Sequence, residues 1–207
     1  KTAICLHGIS SGRTEKSPDG QVNVLDSFQK IKDNLIVPNN CDVFIHTWEH
    51  DKVEAVISDY YPQKSLVERP IIFHENNWLD DLKHVRRRLI YGHNHKGRKN
   101  ALLSRWYSLM KSVELAKLNE VESGRKYDYI FVTRFDLSLN VEVEFERLDS
   151  TRFYTGNWPR WYSDVGEELD EIDVSKGSCF KYIGKKGFPY DDEALHDFWF
   201  LSNSEAI

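Results

Sequence analysis

The chain has 207 residues, of which 40% are hydrophobic and 29% charged, which fits one folded domain with a continuous core and excludes a disordered or fibrous protein. Its formal net charge of -5 argues against non-specific nucleic-acid binding, and no apolar run reaches the roughly 20 residues of a membrane span. The three scattered cysteines, Cys5, Cys41 and Cys179, favour free thiols in a reducing compartment, so we expect a cytoplasmic protein.

The first elements predict a β-α-β unit. Residues 2–8 (TAICLHG) form a short apolar run closed by a glycine, which is typical of a buried strand. A polar loop rich in Gly and Ser follows, and the apolar residues from Val24 to Ile36 then recur at helical spacing. Residues 41–48 (CDVFIHTW) are β-branched and aromatic and predict a second strand. This order of elements predicts a parallel sheet.

The middle of the chain predicts two helices. The first runs from Leu79 to about Tyr91, and the second runs from Asn100 to Ser123, where Gly124 supplies a C-terminal stop. Two adjacent apolar stripes predict the buried face of the second helix: Leu102, Trp106, Leu109, Val113 and Ala116 in one, and Leu103, Tyr107 and Met110 in the other.

The last third of the chain predicts further strands. The apolar run at 129–132, within KYDYIFVTRFDLSL, is typical of a strand buried on both faces, and RFYTGNWP, KYIGKKG and HDFWFLSN are shorter strand-like pieces. We therefore expect an α/β fold with a mixed, mainly parallel central sheet flanked by helices. The chain starts without Met and ends in SNSEAI, which has the pattern of a helix start, so we expect residues 1–207 to be the N-terminal module of a longer polypeptide.

The strand at 129–132 leads directly into charge. Arg134 and Asp136 follow it at a spacing of two, so they project to the same side of the strand. Ligands of open α/β sheets bind at the carboxyl ends of parallel strands. At that edge the arginine could hold a diphosphate directly, and the aspartate could hold it through a divalent metal ion. The alternative is an ordinary surface ion pair.

Three other segments place polar residues at predicted strand ends. The loop in CLHGISSGR can offer backbone N–H groups and Arg13 to phosphates. The second strand ends in His46, Thr47 and Trp48, although a lone histidine at a strand end is more often structural. The segment DDEALHDFWFLSN carries an acidic cluster that is either a solvated loop or part of the site: Asp191, Asp192, Glu193, His196 and Asp197.

Three further features have simpler interpretations. The basic tract at 83–99 and the acidic tract at 164–173 are read as solvated faces, with an anion-binding rim as the alternative for the basic one. The aromatic residues of 157–164 (NWPRWYSD) offer flat faces on which a ligand could stack, but burial is the more common role of such residues. His93 and His95 have metal-like spacing without a carboxylate beside them, and we interpret them as a solvated loop.

Five segments, taken in order, resemble the glycosyltransferases of the GT-A fold: the first strand with its loop (CLHGISSGR), DVFIHTW, LLSRWYSLMKSVEL, YDYIFVTRFDL and DFWFLSNSEAI. The resemblance is to the group whose DxD motif is written R-x-D, and within it to the N-terminal domains of chlorella-virus glycosyltransferases that are thought to build capsid glycans. The similarity spans nearly the whole chain. It implies transfer of a sugar from a UDP-sugar to a glycan or glycoprotein acceptor, without nucleic acid and without a membrane span.

The resemblance also implies roles for individual residues. Asp136 matches the metal-binding acid of the motif, whereas Arg134 replaces its first acid, so Mn²⁺ (or Mg²⁺) would rely on the diphosphate, water and a ligand such as His196. Asp197 is the first candidate for a carboxylate near the reacting sugar, followed by Asp192 and Asp191. The nucleotide is expected along the edge formed by His7, Gly8, Ser10, Arg13, Thr47, Trp48, Arg134 and Asp136.

Two other classes of function remain open at this point. A non-catalytic module that binds nucleotide or carbohydrate would keep the loop and the aromatic residues but would need neither Asp136 nor Asp197. A sugar nucleotidyltransferase would also use a metal and a diphosphate, yet the first loop is not followed by the long helix, and lacks the Gly-rich, basic sequence, that such enzymes usually show.

Overall fold

The computed structural model describes residues 1–10, 12–13, 21–22, 24–73, 85, 98–137, 139–157 and 195–207. Eight strands occur in this part of the chain: β1 (Thr2–Gly8), β2 (Gly12–Arg13), β3 (Gln21–Val22), β4 (Asp42–Trp48), β5 (Lys64–Glu68), β6 (Tyr129–Arg134), β7 (Tyr154–Asn157) and β8 (Leu195–Ser202). The first helix, α1 (Leu25–Ile31), continues as a π-helix (Lys32–Ile36) and then as α2 (Val37–Asn39). Two further helices follow, α3 (Val53–Tyr60) and α4 (Arg98–Ser123), and a 3₁₀ turn spans Phe145–Arg147.

One mixed sheet of six strands has the order β5-β4-β1-β6-β8-β7, and β2 pairs with β3 separately. The strands β5, β4, β1 and β6 are parallel, whereas β8 is antiparallel to β6 and β7 is antiparallel to β8. The predicted α/β class, the parallel start and the antiparallel additions are therefore confirmed. From β1 the chain moves to β4 on one side, and later it returns to β6 on the other side, so a topological switch point lies between β1 and β6.

Two apolar layers cover the sheet, one on each face. Alternate residues of β1 contribute to different layers, because Ile4 and Leu6 join the cluster with the first helices, whereas Ala3 and Cys5 join the cluster with α4. β6 is buried on both faces in the same way, as its continuous apolar run predicts. Cys5 and Cys41 are free thiols.

The predicted helix over Val24 to Ile36 is confirmed, but its last part widens into a π-helix. The cause is Pro38, which has no N–H to donate to the carbonyl of Asn34. That carbonyl instead accepts a hydrogen bond from the backbone N–H of Val143 at 2.9 Å. The helix ends at Asn40, whose φ of 45° is left-handed. This hydrogen bond thus connects the segment that follows β6 to the π-helical turn.

The second predicted helix is confirmed as α4, which begins two residues earlier than expected and stops before Gly124 at a φ of 65°. Its predicted buried face is only half right. Val113 and Ala116 are buried, but the N-terminal part of the stripes, Leu102, Leu103, Trp106 and Met110, is 39–49% exposed. Small residues make the close contact instead, since Ser108, Ser112 and Ala116 are each 0% exposed.

The sequence patterns did not predict α3 and β5. β5 is a short, half-buried strand that pairs with β4 and has charged residues at both ends, which weakens the alternating pattern of a strand. Several predictions lie wholly or mostly outside the described residues: the helix at 79–91 apart from Val85, the strand KYIGKKG, most of the basic tract at 83–99, the acidic tract at 164–173, most of the aromatic loop at 157–164, and His93 and His95. In the described part of the chain, no helix combines the length and apolar character needed to cross a membrane.

Candidate ligand site at the carboxyl edge of the sheet

The carboxyl ends of β4, β1 and β6 meet at one edge of the sheet and carry polar residues. In register, His7 lies between His46 of β4 and Arg134 of β6, and Gly8 lies beside Thr47. Because residues in register point to the same face, the two histidines and the arginine form a row on the face covered by α4. This edge brings together seven of the residues named in the sequence analysis: His7, Gly8, Ser10, Thr47, Trp48, Arg134 and Asp136.

Arg134 and Asp136 form a bidentate ion pair at this edge. The guanidinium donates from Nε to Asp136 Oδ1 at 2.7 Å and from Nη2 to Asp136 Oδ2. The two side chains are 33% and 41% exposed, so the pair faces solvent at the mouth of the switch point. A fork-to-carboxylate contact fixes both groups in orientation. The structure therefore sets a cation and a carboxylate side by side beyond the end of a buried strand.

A buried hydrogen-bond chain links the end of β1 to the outer strand β5. The backbone N–H of Gly8 donates to Ser108 Oγ of α4 at 2.8 Å, and Ser108 Oγ lies 2.7 Å from His46 Nδ1. On the other side of the ring, His46 Nε2 lies 2.8 Å from Glu68 Oε2, and Tyr107 donates its hydroxyl to Glu68 Oε1 at 3.2 Å. One polar network thus connects α4, β1, β4 and β5.

The protonation states of His46 and Glu68 determine which atoms donate and which accept in these hydrogen bonds. Burial lowers the pKa of His46, although Glu68 acts in the opposite direction, so the ring is neutral at pH 7. Partial burial raises the pKa of Glu68, but hydrogen bonds from His46 and Tyr107 bring the net value below its usual range. A carboxylate only accepts, so His46 donates from Nε2 and accepts the hydroxyl proton of Ser108 at Nδ1. The network therefore fixes the tautomer of the histidine.

Replacing Ser108 with Ala is expected to destabilise the fold by about 2–4 kcal/mol, because it leaves the N–H of Gly8 and Nδ1 of His46 buried without their partner. Ser112→Ala is the matched control, since Ser112 is equally buried but donates only to the carbonyl of Leu109 within the same helix. Urea unfolding measures both variants. Equal losses for the two serines would contradict the linking role of Ser108.

A second series of hydrogen bonds holds the loop after β1 against the end of β4. Lys52 N–H donates to His50 Nδ1 at 3.2 Å, so the neutral ring carries its proton on Nε2 and donates to Ser10 Oγ at 2.7 Å. Ser10 then donates to Thr47 Oγ1 at 2.9 Å, and Thr47 donates to the carbonyl of Gly8 at 2.9 Å. Ser10 and Thr47 are fully buried, so they shape the loop and do not offer their hydroxyls to solvent.

Trp48 lies inside an aromatic cluster. Its ring stacks on Tyr107 with centroids 5.9 Å apart, and it also meets His46 and Phe73 edge-on. Only 6% of Trp48 is exposed. The indole therefore stabilises the outer part of the edge, and a nucleobase would have to displace a neighbouring ring to stack on it.

His7 is a buried titratable group at this edge. Only 1% of the residue is exposed, and among the described residues no group forms a hydrogen bond with Nδ1. Burial, together with the nearby charges of Arg105, Arg134 and His46, lowers the pKa of His7 to about 3. A neutral imidazole with an unsatisfied nitrogen at the end of β1 is a polar group that a bound ligand could satisfy.

The neutral state of His7 predicts a stability that falls in acid. The unfolded chain takes up a proton near pH 6.5 and the folded chain only near pH 3, so the unfolded state binds more protons between these values. Lowering the pH from 6.5 to 5.5 should remove about 1 kcal/mol through His7 alone. Urea unfolding at several pH values, compared with His7→Gln, measures this contribution. The same pH dependence in both proteins would contradict it.

The first residues of β8 reach the same edge. β8 begins at Leu195 and includes His196 and Asp197, and β7 pairs Gly156 with His196. β8 is antiparallel to β6, and Thr133 pairs with Trp199. His196 and Asp136 each lie three residues beyond that pair, toward the carboxyl edge. The backbone thus brings both predicted segments to one edge of the sheet.

The other predicted site residues are placed less completely. Arg13 lies in the short strand β2, and Asp191 and Asp192 fall outside the described residues. Within the described ranges, no three His, Cys, Asp or Glu side chains are grouped so that they could hold a metal ion.

Sequence reasoning missed Glu68, His50, Ser108 and Arg105. Glu68 belongs to an unpredicted strand, and His50 follows the end of β4 in an unassigned loop. Ser108 could have been found, because Ser108, Ser112 and Ala116 form a stripe of small residues at a spacing of four, which marks a face that packs closely.

Comparisons with protein-family models, with curated proteins and with solved structures gave no match for this chain.

Proposed function

We propose that this chain is a glycosyltransferase domain of the GT-A fold that moves a sugar from a UDP-sugar to a glycan acceptor with the help of a divalent metal ion. The observation that carries the proposal is the position of Arg134 and Asp136 beside the end of β1, at the switch point of the sheet. Open α/β sheets bind nucleotides at this place. The sequence resemblance to R-x-D glycosyltransferases supports the same site.

The donor set at this edge is compatible with a metal–nucleotide complex. Mn²⁺ and Mg²⁺ in nucleotide sites bind one or two carboxylates, and phosphate oxygens and water complete their coordination. Asp136 would be the protein ligand, with His196 as the second candidate. Both oxygens of Asp136 accept from the guanidinium of Arg134, so the metal ion and the diphosphate would replace this ion pair when they bind.

The transfer breaks the bond between the anomeric carbon of the sugar and the oxygen of the β-phosphate, and it forms a bond from that carbon to an acceptor hydroxyl oxygen. The hydroxyl proton leaves to a base, and UDP departs with the bonding electrons. Arg134 would stabilise the negative charge that grows on the diphosphate, and the bound metal would supply the same electrostatic help. A carboxylate near the oxocarbenium-like carbon, for which Asp197 is the candidate, would stabilise the sugar.

A thermal-shift panel of UDP, GDP, CDP and UDP-sugars, each with and without Mn²⁺, tests the proposal. UDP at about 100 times its Kd should stabilise the fold by about 2.7 kcal/mol, and EDTA should remove most of that effect. Equal shifts with GDP and CDP, or no effect of EDTA, would count against it. Release of UDP from a UDP-sugar with acceptor would separate transfer from mere binding, and pyrophosphate release from UTP and a sugar phosphate would indicate a nucleotidyltransferase.

We also propose that the reaction takes place in the cytoplasm, that of the host cell if the protein is viral. The free thiols of Cys5 and Cys41 support a reducing compartment. The proposed partners are the nucleotide-sugar donor and a glycan or glycoprotein acceptor.

A further inference from the structure

The N-terminal turns of α4 extend beyond the carboxyl edge of the sheet. Ser108 contacts Gly8 at the end of β1, whereas Asn119 donates to the hydroxyl of Tyr127, which precedes β6 at the opposite edge. Lys117 likewise donates to Ser204, which follows β8 at that opposite edge. The helix therefore runs antiparallel to β1, and residues before Ser108 lie over the candidate site.

Arg105 is a positively charged residue in these N-terminal turns of α4. It lies three residues before Ser108, which places it on the same side of the helix and about 4.5 Å further along the axis. Its charge acts on His7 together with that of Arg134. Because Arg134 is the cross-strand neighbour of His7, the two arginines approach one buried imidazole from different layers, Arg105 from the helix and Arg134 from the sheet. Nδ1 of that imidazole has no hydrogen-bond partner among the described residues.

We infer that Arg105 is a second diphosphate-binding residue, which α4 brings over the end of β1 to act together with Arg134. The inference rests on the proposed nucleotide site and adds a residue from outside the R-x-D motif. A diphosphate has two phosphoryl groups, and arginine recognises such groups through paired N–H donors. Two arginines from different layers can each hold one group, and together they would offset the negative charge of a departing diphosphate at a site that offers one metal-binding aspartate.

A structural role for Arg105 makes a different prediction. An arginine that only joins the helix to the sheet would affect folding, and its loss would weaken every ligand of the site alike. An arginine that holds the diphosphate would affect UDP but not uridine, because uridine occupies the base and ribose positions without phosphate. The comparison of UDP with uridine therefore separates the two roles.

The first test is calorimetric titration of Arg105→Gln with UDP and with uridine in the presence of Mn²⁺. The matched control is Arg125→Gln, which removes the same charge from an exposed position beyond the other end of α4. We expect the Kd for UDP to rise about 10-fold or more in Arg105→Gln, with uridine binding unchanged and the control like the wild type. UDP affinity within two-fold of the wild type, or an equal loss for both ligands, would overturn the inference.

A second test uses the wild-type chain and does not depend on how Arg105→Gln folds. Phenylglyoxal modifies accessible arginines, and peptide mass spectrometry reports the modification of each one. UDP with Mn²⁺ should protect Arg105 and Arg134, uridine should not, and Arg125 should react equally in all samples. UDP binding without protection of Arg105 would overturn the inference alone, whereas a wild-type chain that binds no UDP would overturn the proposed function and this inference with it.

Discussion

Asp136→Asn is expected to abolish metal-dependent UDP binding while the protein stays folded. The substitution keeps the shape of the side chain but removes the charge that would hold the metal. At a UDP concentration about 100 times the wild-type Kd, the nucleotide should stabilise the wild type by about 2.7 kcal/mol. A roughly 100-fold loss of affinity reduces this to about 0.4 kcal/mol. Thermal shift and calorimetry with Mn²⁺ measure the difference.

The fold should tolerate this change because the pair between Arg134 and Asp136 is partly exposed and contributes about 0–1 kcal/mol. Asp128→Asn is the matched control. Asp128 precedes the same strand at the opposite edge and also pairs with a cation, the N-terminal ammonium of Lys1. If Asp136→Asn binds UDP with Mn²⁺ as tightly as Asp128→Asn does, the metal ligand has been assigned to the wrong residue.

Asp197→Asn is expected to reduce turnover by about 100-fold or more and to leave UDP affinity nearly intact. The reason is that a carboxylate near the reacting sugar carbon acts on the transition state and not on the bound nucleotide. The backbone at Asp197 lies in the first half of β8, near the carboxyl edge of β6. The rate of UDP release from a UDP-sugar with acceptor, together with the Kd for UDP, measures both quantities.

Glu205→Gln is a suitable control for that experiment. Glu205 follows the other end of β8 and pairs with Lys126, so its loss should leave both turnover and UDP affinity unchanged. A structural Asp197 would lower the melting temperature and weaken UDP binding and turnover together. Unchanged transfer in Asp197→Asn would shift the assignment to Asp192.

The strands at the centre of the sheet were predictable because their signal is local. β1, β4 and β6 are continuous apolar runs of the kind that parallel strands buried on both faces require, and their bounds agree with the prediction to within a residue or two. β5 lacks this signal, since it lies outside β4 with only partly buried residues. The Asn34 carbonyl that Pro38 leaves without a donor accepts from Val143, a partner more than 100 residues away, which no local pattern reports.

The candidate site likewise contains residues that the local sequence predicts and residues that only the packing reveals. Arg134 and Asp136 could be predicted because they follow a recognisable strand at a spacing of two. The network through Ser108, His46 and Glu68 joins three elements that are distant in the sequence, so only the packing of α4 across the sheet reveals it. Arg105 is hidden for the same reason, because its relevance depends on the direction in which α4 crosses the end of β1.

A crystal structure of the chain with UDP and Mn²⁺ tests the central claim most directly. The account predicts the diphosphate at the switch point between β1 and β6, with one phosphoryl group within hydrogen-bond distance of Arg134 and the metal bound to Asp136. UDP bound at another surface, or bound at this edge with the ion pair of Arg134 and Asp136 unchanged and no metal on the carboxylate, would contradict it.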